Sequence, residues 1–365
     1  MFTQKIKKLA FNICCLLFPA MAMSQQKADH LIVITTDGFR WQEVFTGMDS
    51  AIANNKKFNQ GDSAALFKKY WSSHAEERRK LVMPFFWNTL AAKGQVYGNR
   101  GYGNYVNTAN PYHFSYPGYN EIFTGNPDTS INSNDYPPNP QINVLEYLQQ
   151  QPGYKGRVAA FTAWDAFNRI LNEERSGVPV IAAFDTTPGS SLTQQQKLIN
   201  KMLLNSFKPF GEEECLDVFT HYAAMEYLKM RKPKVLYISY GETDEWAHAG
   251  RYKDYLNAAN QWDKWLEELW IFLQTDAEYK NRTAIVITVD HGRGLQNEWT
   301  SHGKTITGSD EIWFAIIAPG LSAKGEIKSG AKLYQQQLAQ TMANILGKEF
   351  KAKHPIAKGL MSILK

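Results

Sequence analysis

Ala284-Ile285-Val286-Ile287-Thr288-Val289-Asp290-His291-Gly292 is the stretch that decides the fold. Its first six residues are apolar or β-branched and leave no polar face. A strand built this way is covered on both sides, as in a parallel sheet with helices above and below. Leu31-Ile32-Val33-Ile34-Thr35-Thr36, Val158-Ala159-Ala160-Phe161-Thr162 and Val235-Leu236-Tyr237-Ile238-Ser239-Tyr240 have the same character. A fifth run, 312–317, is closed by Pro319-Gly320. Helical periodicity fills the intervals at 83–92, 142–151, 192–204, 216–230, 252–273 and 334–346. Strands alternating with helices predict an α/β fold, with a doubly wound, mostly parallel central sheet and helices on both faces. The stretch 97–119, rich in Gly, Tyr, Asn and Pro, reads as a long irregular loop, and so does 126–141. Loops of that length in a compact domain are usually functional or disordered.

The polar residues that close these strands are the informative ones. The first strand ends in Asp37, and the third runs into Glu242-Thr243-Asp244-Glu245-Trp246-Ala247-His248. The opening stretch ends in Asp290-His291, and Ser301-His302-Gly303 follows. Open α/β sheets place their sites at the carboxyl ends of strands. Topology alone therefore predicts that Asp37, Asp244, His248, Asp290, His291 and His302 converge. Asp244 and His248 are four apart, so one helical turn puts them on one face. Carboxylate and imidazole donors suit Zn²⁺, with Mn²⁺ second. Six of them suffice for two divalent metal ions, which can clamp the attacking and leaving oxygens of an in-line displacement. His30, His74, His221 and His354 have no acidic partner at a comparable strand end and read as structural; His113, two residues before Ser115, is left open.

Composition narrows the function classes. The chain has 365 residues, 44% hydrophobic, enough for a sizeable core in a single domain. The formal charge of +5 owes much to Lys5, Lys7 and Lys8, and no run of Lys and Arg tracks a nucleic-acid backbone. Those lysines precede an apolar run over 9–23 and the small residues Ala20, Ala22 and Ser24. This is the pattern of a signal peptide over 1–24, which leaves a single α/β domain over 25–365 that is exported, periplasmic or secreted. The run is short for a membrane anchor. Cys14 and Cys15 lie inside it, so only Cys215 remains afterwards, and it reads as a buried small hydrophobe.

The order of these motifs resembles the alkaline phosphatase superfamily, and most of all its type I phosphodiesterase and nucleotide pyrophosphatase branch. A strand ending in Thr36-Asp37-Gly38 comes first, then Phe114-Ser115-Tyr116-Pro117-Gly118-Tyr119, then Asp244 and His248, then Asp290-His291-Gly292, then His302. The resemblance implies an alkaline-phosphatase-like fold and a two-metal phosphoric ester hydrolase acting on a small-molecule substrate. It implies that Asp37, Asp290 and His291 hold one metal and that Asp244, His248 and His302 hold the other. Ser115 would attack phosphorus, ligate the first metal and form a phosphoryl-enzyme that water hydrolyses. An Asn after the nucleophile helix would support the phosphoryl group; Asn132, Asn134 and Asn139 compete, with Asn134 favoured.

Physical chemistry supports Ser115 independently. Pro117 fits the first turn of a helix that runs to Phe123 and closes at Gly125, and a helix N-terminus offers donors to a phosphate. The plain alternative is a loop serine acting as a helix cap. No Gly-x-Ser-x-Gly elbow surrounds Ser115, so an esterase triad is not indicated. Tyr119 stands where sulfatases of the superfamily carry Arg, which disfavours a sulfatase. Thr162-Ala163-Trp164-Asp165-Ala166 stands where some monoesterases carry Lys-x-Arg, and Trp164 is expected to offer an apolar face to the leaving group. Two rivals remain: a phosphoryl-transferring mutase of the same superfamily, and a metal-stabilised binding protein without catalysis.

Overall fold

The computed structural model describes residues 27–362 and Leu364. The expected signal peptide over 1–24 lies outside the described residues. Eleven strands are present among them: β1 His30–Thr36, β2 Gln95–Tyr97, β3 Asn104–Asn107, β4 Val158–Thr162, β5 Val180–Ala182, β6 Val235–Tyr240, β7 Thr283–Thr288, β8 Glu311–Ile312, β9 Phe314–Ile317, β10 Gly325–Glu326 and β11 Ala331–Tyr334. Eight of them form one sheet in the order β10-β2-β9-β7-β1-β6-β4-β5. Only β9 runs against the rest. The predicted doubly wound, mostly parallel α/β architecture is therefore the observed one. Every residue of β1, β4 and β6 is buried, as their unbroken apolar runs require.

Register positions the site. Thr36 pairs with Tyr240 and Thr35 with Thr288, so β1, β6 and β7 stop at one level. Asp37, the turn after β6 and Asp290 leave that edge side by side. The helix Tyr252–Thr275 lays Trp262, Trp265, Leu266, Leu269 and Leu273 against the core.

Three sequence expectations need correction. The stretch 97–119 is not irregular throughout: β3 lies inside it, paired with β8 and β11 in a second, three-stranded sheet. The run 312–317 is not one strand. It breaks at Trp313, whose indole donates to the Phe39 carbonyl at 3.0 Å, so β8 joins the small sheet and β9 the large one. The last helix spans Gln337–Ile345, because β11 takes 331–334. The stretch 126–141 contains neither helix nor strand.

Candidate active site

The predicted ligands gather into two groups. Asp37, Asp290 and His291 each offer one donor atom, all within 4.8 Å of one another, and so do Asp244, His248 and His302. In the first group His291 Nε2 stands 3.2 Å from Asp37 Oδ1, 3.3 Å from Asp290 Oδ2 and 3.3 Å from Ser115 Oγ. In the second, His248 Nε2 is 2.9 Å from Asp244 Oδ2 and 3.0 Å from His302 Nε2. The rings of His291 and His302 stack with centroids 3.8 Å apart, so the groups share a wall.

Each ring is oriented by its other nitrogen. His291 Nδ1 donates to the Gly292 carbonyl at 2.9 Å, and His302 Nδ1 donates to the His113 carbonyl at 3.2 Å. That turns both Nε2 atoms toward the groups, the usual support for a metal-binding imidazole. His113 thus serves through its backbone, while its own ring bonds Thr108 Oγ1 at 2.8 Å. The loop around it is held by Glu121, a buried carboxylate that accepts from the Ala109, Asn110 and Gln336 amides and the Asn110 side chain.

The donor set fits divalent cations. Asp37 Oδ1 and Asp290 Oδ2 are buried and share a single ring nitrogen, His291 Nε2, as their ion-pair neighbour, with no further hydrogen-bond partner. Such oxygens cost folding energy unless something meets them, and a cation facing both would do so. Burial and the charge of Asp37 push Asp290 above the usual carboxylate range. Burial opposes the charge on His291, but Asp290 and Asp37 outweigh it and raise the ring to about 9. Burial, followed by the charges of His291, Arg293 and His248, drives His302 well below its ordinary value, toward the neutral form a metal needs.

Ser115 is the first residue of the helix Ser115–Thr124, which ends at Gly125 and is buried along its whole length. Phe114 occupies the cap position and no side chain caps from there. The Ser115 hydroxyl is therefore free to face His291. Asn134 Oδ1 instead accepts from the Tyr116 amide at 3.0 Å, and Asn134 lines the cleft. Asn139 is removed from contention, since its amide is spent on Asn120 Oδ1 and the Gln141 amide. The Tyr119 hydroxyl, at the position that disfavoured a sulfatase, donates to Asp37 Oδ2 at 3.0 Å.

Sequence reasoning missed several partners. Arg293 is fully buried; its guanidinium pairs with Asp244 Oδ1 and donates to the Trp299 and Thr300 carbonyls, at 2.8 and 2.7 Å. It joins a candidate ligand to the loop that carries His302. Its position next to Asp-His-Gly was the only available signal. Asp217 accepts from the Gly241 and Glu242 amides at 2.7 and 3.1 Å and so fixes the turn ahead of Asp244. Gly38 adopts φ +57, and a Cβ there would meet Asp244 Oδ1 at 2.4 Å, so both conformation and space demand glycine. Arg169 lines the cleft, so a cation does stand there despite the absent Lys-x-Arg pair. His30 bonds the Pro233 carbonyl through Nδ1 and pairs with Glu278 through Nε2, His221 bonds the Tyr240 hydroxyl and Glu268 in the same way, and His354 bonds the Thr124 carbonyl; none of the three belongs to either donor group. Cys215 is buried, and burial pushes its thiol up to about 12.

Ser115, Asp37 of the first group and all three residues of the second border a cleft of about 260 Å³, which Trp164, Glu214 and Glu245 also line. Among the described residues no helix is long and apolar enough to cross a membrane.

No protein-family model matches this chain, and a search of curated proteins found no match. Solved structures do match in fold. Phosphonate monoester hydrolase of Agrobacterium radiobacter superposes with TM-score 0.57 at 13% identity, over 92% of this chain and 77% of that one. Wild-type alkaline phosphatase PafA gives 0.57 at 10% identity, over 93% and 99%. Ps i-CgsB in complex with k-i-k-neocarrahexaose gives 0.55 at 17% identity, over 89% and 73%. The chain has the fold of the alkaline phosphatase superfamily, with its two donor groups at the carboxyl ends of the central strands.

Proposed function

We propose that this chain is an exported phosphoric ester hydrolase that uses Ser115 as nucleophile and two divalent cations. The carrying observation is the place of Ser115: its hydroxyl opens a buried helix, caps nothing, and lies 3.3 Å from His291 Nε2 beside both donor groups. Asp37, Asp290 and His291 would hold one cation, and Asp244, His248 and His302 the other. Bound there, zinc or manganese would lower the pKa of the serine hydroxyl and offset phosphoryl charge. Ser115 Oγ forms the bond to phosphorus while the ester oxygen leaves, and water then cleaves the phosphoserine and restores the hydroxyl. The helix N-terminus and the Asn134 amide orient the phosphoryl oxygens. Tyr119 and Arg293 act through Asp37 and Asp244 as positioning residues.

The direct test compares an aryl phosphate monoester, an aryl phosphodiester and an aryl sulfate as substrates of zinc-loaded protein. Turnover of a phosphate ester well above the sulfate is the expected result. Sulfate turnover alone would reverse the substrate class.

Elemental analysis is expected to find close to two divalent ions per chain, with His248→Ala losing the second. No tightly bound metal in the parent protein would remove the mechanism. Uptake must displace the proton that the carboxylates hold on His291. Metal affinity is therefore expected to rise with pH up to about 9 and level off above it, as read by competition with a chelator. A flat profile would contradict the donor assignment.

Export is tested separately. Mass spectrometry on protein from its native host is expected to find a new N-terminus near Gln25. Intact Met1 in the cytoplasm would overturn export and reopen the mutase alternative.

A further inference from the structure

Four large apolar side chains stand in water close together in the sequence. Leu198, Met202, Leu204 and Phe207 are 57%, 54%, 60% and 82% exposed. Single exposed hydrophobics need no explanation, but a cluster of them marks a contact surface.

The helix that carries the first three is built to keep this face outward. It spans Gln194–Leu204 and opens with a capping box, in which Gln196 N donates to Thr193 Oγ1 and Thr193 N to Gln196 Oε1, both at 3.0 Å. Gln196 and Leu203 lie two turns apart on the inner face and are buried. Leu203 packs with Ala163 and Cys215. These are the chain neighbours of Trp164 and Glu214, which line the cleft, so the helix sits on the outside of the cleft wall. Leu198 and Met202, one turn apart, point the other way. Beyond the helix the chain is pinned again. Lys208 pairs with Glu212 and its ammonium lies 4.2 Å from the centre of the Phe184 ring, while Phe210 packs edge-on against Trp246 at 4.9 Å. Phe207 is therefore held out between two anchored pieces of chain.

Charge narrows what can cover this face. No Asp or Glu occurs between Asp185 and Glu212. Lys197 and Lys201, one turn apart on the adjoining face of the helix, are exposed. Among the described residues neither lysine forms an ion pair. A protruding phenylalanine, an apolar helix face and flanking ammonium groups together match an anionic lipid surface: the apolar side chains enter the acyl boundary, and the lysines reach the headgroup phosphates. A second copy of this chain fits less well, because a two-fold contact through this face would set Lys197 and Lys201 against their own counterparts.

We infer that the segment 194–207 docks the protein on a lipid bilayer with anionic headgroups. The contact is peripheral and needs no membrane-crossing helix. It is independent of the reaction proposed at Ser115.

The test uses the exported form of the chain, from Gln25 onward, so that the apolar run over 9–23 takes no part. Vesicles of phosphatidylcholine, with and without phosphatidylglycerol, are the probe. The protein is expected to cosediment with the phosphatidylglycerol vesicles. Binding is expected to weaken at least about tenfold in Phe207→Ser, and likewise in Leu198→Gln combined with Met202→Gln. Lys197→Gln combined with Lys201→Gln is expected to remove the preference for phosphatidylglycerol. All five side chains are exposed, so melting temperatures are expected to stay at the parent value. No binding to anionic vesicles overturns the inference, and so does binding that these variants retain. Phe207→Cys labelled with a solvent-sensitive fluorophore gives a second readout, since Cys215 is buried and does not compete for the label. Blue-shifted emission on adding vesicles supports the docking surface, and unchanged emission on protein that sediments with them overturns it. A dimer in analytical ultracentrifugation that Phe207→Ser dissolves, without vesicle binding, would assign the face to a second copy and overturn the lipid reading.

Discussion

Ser115→Ala is expected to lower turnover of a phosphate ester by on the order of 10³-fold or more, with little change in melting temperature. The rate loss follows from geometry. In the proposed mechanism the Ser115 hydroxyl, 3.3 Å from His291 Nε2, is the attacking group, and its removal would leave only water to attack. The small stability effect follows from the same geometry. A serine that caps a helix contributes about 1 kcal/mol, but this hydroxyl makes no cap bond, and Asn134 accepts from the Tyr116 amide in its place. Ser115→Thr keeps the hydroxyl and is expected to retain measurable activity. Steady-state kinetics and one melting curve on the same sample decide the matter. Full activity in the alanine variant would mean direct attack by water, and the phosphoserine would have to be abandoned even with both metals present. Normal kinetics with a depressed melting temperature would instead make Ser115 a cap, contrary to its contacts.

The six candidate ligands were legible because each closes a strand, or follows one closely, in a fold whose strand ends meet. Asp37, Asp244 and Asp290 needed only the assumption that β1, β6 and β7 are neighbours, and the observed order β7-β1-β6 makes them so. The long strands were legible for a related reason: burial on both faces writes itself into the sequence as an unbroken apolar run. β2, β5 and β10 have two or three residues each and are too short to show periodicity. β3 exists because β8 and β11 flank it, and Asn104-Tyr105-Val106-Asn107 has no strand signature of its own. The break at Trp313 is also invisible locally, since what divides the run is a hydrogen bond to Phe39, 274 positions away. Arg293 and Asp217 escaped notice because charged residues carry no periodic signal. Their roles come from what the fold places beside them.

Arg293 carries the second large effect. Arg293→Met is expected to destabilise the chain by about 3–5 kcal/mol and to cost it the second metal ion. The guanidinium is fully buried and meets three acceptors: Asp244 Oδ1 and the carbonyls of Trp299 and Thr300. Methionine fills much of the same volume, so the loss is electrostatic rather than a cavity. It removes the cation paired with Asp244 Oδ1, leaving that carboxylate only its His248 contact and the metal, and it takes the guanidinium donors from two carbonyls. Asp244 would then be free to turn, and the 299–302 segment that aims His302 would lose its anchor. The first group does not touch Arg293 directly and is expected to keep its ion. Arg293→Lys restores the charge but can reach only part of a fork-shaped set of acceptors, and is expected to fall between the parent and Met. Denaturant unfolding of metal-loaded protein, with elemental analysis of the same preparations, measures both effects. Two ions and parental stability in Arg293→Met would show that the Asp244 contact is incidental. Loss of both ions together would show that the two groups form one cooperative unit, and the division of the six ligands into two separable sites would have to be given up.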